Sequence, residues 1–113
     1  MTNHDNNVYL RHIIDSINLI NVYVNNVKFN DFVSNQMMID AVIRNFEVMG
    51  EACNRISSEF REEHHSINFG PATSMRNRLI HGYDNVNLDY VWDTIQEDLP
   101  KLKKEIEALL EHV

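Results

Sequence analysis

Apolar residues recur along the chain at helical spacing. Leu10, Ile13, Ile17, Ile20, Val24 and Val27 stand 3-4-3-4-3 apart, which places them on one helical stripe and predicts a helix over about 8–27. Their β-branched side chains lower helix propensity, so packing must hold that helix together. Asn25 and Asn26 mark its fraying end, and residues 30–34 read as a short helical connector capped by Asn30 or Asp31. A second long helix is expected over about 36–60, with Met38, Val42, Met49, Cys53, Ile56 and Phe60 on one stripe and Ile39, Ile43 and Phe46 widening it. A helix apolar on more than one face needs two neighbours, or one neighbour and a second subunit. Gly50 lies inside it and costs about 1 kcal/mol relative to Ala, which a close helix crossing would explain. A short third helix follows, with Pro71 at its first position, running to about His81 and closed by Gly82 in the left-handed conformation, with Asp84 and Asn85 continuing the turn. Asn87 caps the last helix, and Asp89 sits in its first turn. From Leu88 that helix carries Trp92, Ile95, Leu99, Leu102, Ile106, Leu109 and Val113 at 4-3-4-3-4-3-4 spacing, a heptad-like seam in which Pro100 predicts a kink or break.

Composition agrees with this pattern. In 113 residues there are three Gly and two Pro, too few for the turns of a sandwich or barrel, and 43% apolar with 24% charged residues describes a globular chain. The expectation is an all-α, up-and-down bundle of four main helices in one domain, residues 1–113, assembled as a two-fold dimer. The single cysteine, Cys53, leaves no internal disulfide or multi-cysteine zinc site, and its place on the apolar stripe reads as inert core. No membrane span or secretory leader is apparent, so a cytoplasmic location is expected.

The net charge of −7 argues against coating of nucleic acid, but the distribution is uneven. Residues 64–83 contain no Asp or Glu, and hold Arg76, Arg78 and three of the six histidines, His64, His65 and His81. Chance in a short chain and an anion-facing segment both account for this window. Within it, Arg76 and His81 pair a permanent planar cation with a side chain that exchanges protons near neutral pH. That is a minimal kit for cutting RNA without a metal: the base takes the 2′-hydroxyl proton and the arginine stabilises charge on the phosphate. The same two residues could equally cap a helix carboxyl end. On a continuing helix they differ by about 140°, and they converge only if the helix ends near His81.

Other candidates carry less. His64 and His65 are adjacent and would diverge by about 100° on a helix, so no metal site is expected. Arg44 and Glu47 have the spacing of a surface ion pair, although Arg44 near the cleft is a further possibility. The methionines and Trp92 read as core, and Lys101, Lys103 and Lys104 as a solvated face.

The octapeptide Arg76-Asn77-Arg78-Leu79-Ile80-His81-Gly82-Tyr83 resembles the signature of the HepT-like toxins of the HEPN superfamily: Arg, a polar residue, three residues, His, any residue, Tyr. Asn77 fills the polar slot. Residues 40–52 resemble the family's long second helix and residues 91–100 its last, so the likeness covers about 9–110. The approach at residues 66–71 departs, with Phe69 standing where family members often carry a Pro-Trp-type pair. The resemblance implies a metal-independent endoribonuclease toxin of a type VII toxin–antitoxin system. It implies a homodimer whose Arg76 and His81 line a shared cleft, with no cofactor; Asn77, Arg78 and Arg44 are expected to support RNA binding there. It also implies a minimal nucleotidyltransferase antitoxin that transfers AMP from ATP to Tyr83. Two alternatives remain: a non-catalytic HEPN-type partner of a nucleotidyltransferase, and a plain helical dimerisation module.

Overall fold

The computed structural model of the chain describes residues 3–82 and 86–110, with residues 3, 4 and 80–82 described in backbone only. The described residues form helices α1 (Asn3–Val24), α2 (Phe29–Val33), α3 (Gln36–Arg55), α4 (Ser58–Glu63), α5 (Gly70–Gly82), α6 (Leu88–Asp93) and α7 (Leu99–Leu110), with a π-helical turn, Thr94–Asp98, joining the last two. No strand occurs among them. The all-α bundle is therefore as expected. Helix α3 is its centre, flanked by α1 and α5, and α7 packs on α1. The two neighbours that the apolar α3 requires are thus both supplied within the chain.

The stripes fill one core. Leu10, Ile13, Ile17 and Ile20 of α1 are fully buried against Val42, Phe46, Met49 and Cys53 of α3, together with Leu99 and Ile106 of α7. Each large apolar side chain buried this way contributes about 1.5–3 kcal/mol before the entropy of ordering it. Cys53 is core, as its place on the stripe suggested.

Several boundaries differ from the sequence-based expectation. Helix α1 begins earlier and stops at Val24, and Asn26 takes a left-handed φ of 60° that ends it. The connector helix starts after Lys28, with no side-chain cap, rather than at Asn30 or Asp31. The expected 36–60 helix is two helices. Ile56 turns extended, and the Ser57 hydroxyl accepts from the Phe60 amide at 3.2 Å, which starts α4. Buried Asn6 of α1 holds this break: its carbonyl accepts from the Ser57 amide at 3.1 Å, and its amide donates to the Ser57 hydroxyl at 3.3 Å. Arg61 then reaches back over the end of α3, donating to the Cys53 carbonyl, which also accepts from the Ile56 amide at 3.2 Å, and, at 3.4 Å, to the carbonyl of Ile56.

Pro71 is the second rather than the first residue of α5, and the Asn68 side chain accepts from the Gly70 amide at 3.0 Å to start that helix. Asn87 caps α6 as expected, through the Tyr90 amide at 3.1 Å. At Pro100 the chain stays helical, but the regular α-helix expected to kink or break there is interrupted just before it by the π-turn. The turn before it widens, with the Leu99 amide bonding to the Thr94 carbonyl. A π-turn makes room for a proline ring that would otherwise meet the carbonyl four residues back. The wider turn also rephases the seam. Val91 is buried in place of Trp92, whose ring instead lies half-buried against Phe32 and Phe29, with centroids 5.1 and 5.9 Å away. The turn at Asp84 and Asn85, and Val113 at the end of the seam, lie outside the described residues.

Candidate active site

Arg76 leaves α5 where that helix crosses α3. The crossing is close because residue 50 is glycine: a Cβ there would sit 2.6 Å from Arg76 Cδ and 2.9 Å from Cγ, inside contact distance. The aliphatic stem of Arg76 therefore lies across the bare backbone of Gly50, its path fixed by the helix pair rather than by rotamer choice. Its guanidinium emerges beside the next residue of α3, and Nη2 donates to Glu51 Oε2 at 3.2 Å. The other carboxylate oxygen of Glu51 accepts from Arg55 Nε, also at 3.2 Å. Tyr9 of α1 borders the same group: Tyr9 first, then Glu51, raises the pKa of Arg55 above its ordinary value. The Tyr9 ring meets that of His12 edge to face, with centroids 6.1 Å apart and an interplanar angle of 79°.

These groups border an open groove of about 690 Å³. Helix α1 supplies Tyr9 and His12, α3 supplies Arg44, Glu47, Glu51 and Arg55, and α5 supplies Arg76. Three arginines face two glutamates, so the groove carries one net positive charge, with His12 neutral, on a chain of net charge −7. The Arg76–Glu51 pair is part-exposed, at 25% and 48% of the two side chains. Such pairs are worth about 0–1 kcal/mol, so an incoming phosphate can take the guanidinium from its carboxylate.

The other residues singled out from the sequence are distributed as follows. Arg44 lines the groove with Arg76 and makes no ion pair with Glu47 among the described residues. Arg78 points elsewhere: its guanidinium covers the Tyr90 ring at 4.2 Å. Asn77 is exposed. His81 lies in the last turn of α5, which runs on through Gly82, and its side chain is outside the described part of the structure, as is the whole of Tyr83. On ideal helix geometry positions 76 and 81 stand about 140° apart around α5. The 64–83 window lacks acids only in sequence, because folding places Glu51 against Arg76. His64 packs its ring on Phe60 at 4.4 Å, and exposed His65 lies 3.4 Å from the Glu62 carbonyl. Among the described residues no group of three or more His, Cys, Asp or Glu is placed to hold a metal ion, and no helix is long and apolar enough to cross a membrane.

Sequence reasoning did not select Tyr9, His12, Glu51 or Arg55. The i, i+4 spacing of Glu51 and Arg55, directly after a glycine inside an apolar stripe, was the available signal. Nothing in the sequence connects Tyr9 to them.

Comparison with known proteins supplies the lineage. The chain is 38% identical over 109 residues to a Methanocaldococcus jannaschii protein named "Gamma-glutamylcyclotransferase and putative RNase"; the match takes in 96% of this chain and spans about half, 49%, of that relative. It is 34% identical over 103 residues to a "Putative RNase" of Caldanaerobacter subterraneus, covering 91% of this chain and 92% of the relative. A "Probable ribonuclease HepT" of Thermococcus cleftensis is 37% identical over 101 residues, covering 89% and 92%. No solved structure matches at a significant level. The profile described as "Ribonuclease HepT-like" matches residues 13–109, which takes in α3, the Gly50 crossing and Arg76. With a match of that extent, the chain belongs to the HepT-like ribonuclease family.

Proposed function

We propose that this chain is an endoribonuclease that cuts RNA by attack of a ribose 2′-hydroxyl on the adjacent phosphate, without a metal. The observation that carries this reading is Arg76, laid across Gly50 into a groove of net positive charge on an acidic chain. In the proposed step His81 takes the 2′-hydroxyl proton and the oxygen attacks phosphorus. The 5′-oxygen of the next nucleotide leaves and takes up a proton. The products are a 2′,3′-cyclic phosphate and a 5′-hydroxyl. Arg76 exchanges Glu51 for the phosphate and stabilises the extra charge that develops on it. Asn77, Arg78 and Arg44 support RNA binding in this reading. The acting form is a two-fold homodimer, which doubles the cationic groups around a shared cleft and lets residues 76 and 81, set apart on one helix, serve the same phosphate.

The reading extends to a cytoplasmic toxin of a type VII toxin–antitoxin system. Its partner is a minimal nucleotidyltransferase that adds AMP from ATP to Tyr83. The added bulk and phosphodiester charge then oppose entry of RNA. The motif match supports this part.

The test is cleavage of single-stranded RNA by the purified protein in excess EDTA. Arg76→Ala and His81→Ala each abolish cleavage while the helical spectrum is unchanged, and the wild type leaves 2′,3′-cyclic ends. A strict metal requirement, or full activity in either variant, refutes the mechanism. Intact mass after incubation with the nucleotidyltransferase and ATP reads the modification: wild type gains AMP and Tyr83→Phe does not.

A further inference from the structure

Beside Arg76 the groove continues away from α5 across α3 to α1, and nothing in the cleavage step accounts for that extension. Its far wall combines two kinds of group. Arg44 and Arg55 are exposed cations on the same helix face as Glu51. Arg44 has no ion pair among the described residues, while Arg55 shares the single charge of Glu51 with Arg76, so the cations exceed their local counter-charge. Beyond them stand two rings. Tyr9 is half-buried, its ring packed against the core. His12 is exposed, with its ring held edge to face against Tyr9. Cations beside an aromatic pair are what a single-stranded nucleic acid requires, since its backbone is anionic and its unstacked bases seek flat partners. The volume, about 690 Å³, lies in the usual range for small-ligand sites and accommodates more than a phosphate.

We propose that this part of the groove is a nucleotide subsite. It holds the residue of single-stranded RNA that flanks the scissile phosphate, with its base against the Tyr9–His12 pair and its own phosphate between Arg44 and Arg55. The proposal rests on the ribonuclease reading above for its choice of ligand. It places substrate recognition on α1 and α3, apart from the motif helix, and makes Tyr9 and His12 binding residues. It also gives Glu51 a positioning role: one carboxylate spaces Arg76 from Arg55, and so sets the distance between the two phosphates the cations engage.

The experiment uses the full chain and a short mixed-sequence 2′-O-methyl RNA, which cannot be cut because its 2′-hydroxyls are blocked. Binding is read by fluorescence anisotropy and cleavage of ordinary RNA is measured separately. His12→Ala and Tyr9→Ala each weaken binding about ten-fold, while Tyr9→Phe, which keeps the ring, binds like wild type. Arg44→Ala lowers the slope of log affinity against log salt by about one. Because Tyr9 touches the core, its variants are compared at matched thermal stability, and the exposed His12 decides if Tyr9→Ala fails to fold. If wild type cuts RNA but His12→Ala and Arg44→Ala bind the analogue unchanged, the subsite is refuted and the ribonuclease reading stands. If wild type does not cut RNA yet binds the analogue and loses it in these variants, the subsite stands and the reading falls. Equal affinity for a duplex, or a shift in oligomeric state with unchanged RNA affinity, also overturns the subsite; the latter makes the groove a face between copies of the chain.

Discussion

Cys53 is fully buried between α3 and its neighbours, and burial pushes its thiol up to about 12, with the Arg61 guanidinium opposing that rise. The sign of the consequence follows from linkage. Below the ordinary value of 9.0 the thiol is protonated in both folded and unfolded chains, and folding is unaffected. Above it the unfolded chain gives up a proton that the folded chain keeps, so stability falls as pH rises from 9.0 toward about 12. Within that window the slope from this one group approaches about 1.4 kcal/mol per pH unit. Urea unfolding of wild type and Cys53→Ala, at about neutral pH and again above the ordinary thiol value, reads the difference. The variant, destabilised at neutral pH by its cavity, loses less on going alkaline, and parallel losses refute the assignment. A thiol reagent leaves native Cys53 unmodified, because the reactive thiolate is absent. The other residue-level result concerns Glu51. Along the chain it reads as one acid among seventeen, and only the fold reveals that it answers two arginines at once.

The crossing of α3 and α5 decides where Arg76 goes, and it turns on the absence of one Cβ. Gly50→Ala improves helix propensity by about 1 kcal/mol, while overpacking against the Arg76 stem costs about 1–3 kcal/mol, so net stability moves little or falls modestly. Activity responds differently. Displacing Arg76 by even 1 Å from the phosphate costs of order a hundred-fold in rate. Gly50→Ala is therefore expected to keep its helical spectrum and a melting temperature no more than about 10 °C below wild type, yet lose at least ten-fold in RNA cleavage. Unchanged cleavage would mean that α5 tolerates a wider crossing. At the same scale, the break at Ile56–Ser57 and the π-turn before Pro100 follow one rule. A helix that meets a local obstacle is rebuilt by whatever side chain or turn satisfies the freed backbone groups: Asn6, Ser57 and Arg61 in the first case, hydrogen bonds that reach five residues back in the second.

For the molecule as a whole, net charge and site charge have opposite signs. An acidic body repels long nucleic acid, while the groove, with three arginines and two glutamates, attracts a few phosphates. In the proposed reading, RNA affinity is local and salt-sensitive. The proposed dimer places two such grooves near one axis. Because α1 and α5 already cover α3, the dimer does not follow from an uncovered core helix; the angular separation of residues 76 and 81 and the family resemblance are its grounds. Light scattering at micromolar concentration should give twice the 13.3 kDa chain mass. A monomer, or a dimer that leaves Arg76 of each copy on an outer face, refutes the shared cleft.

The apolar spacing by itself determined that the chain is helical, where most of the helices lie and which residues form the core, because a stripe at 3-4 spacing can be buried in only one way. The motif at residues 76–83 likewise pointed to the ribonuclease family that the comparison shows. Tertiary structure alone decided what surrounds Arg76. The groove joins Tyr9, Arg44, Glu51, Arg55 and Arg76 from three helices, and a pair such as Glu51 and Arg76, on different helices, leaves no periodic trace in sequence. It also decided where helices stop, since the break after α3 depends on Asn6, and only packing of α1 against α3 brings its amide to Ser57. Periodicity reports which face of a helix is dry; which other helix dries it, and which charged groups meet at the rim, is fixed only when the chain closes on itself.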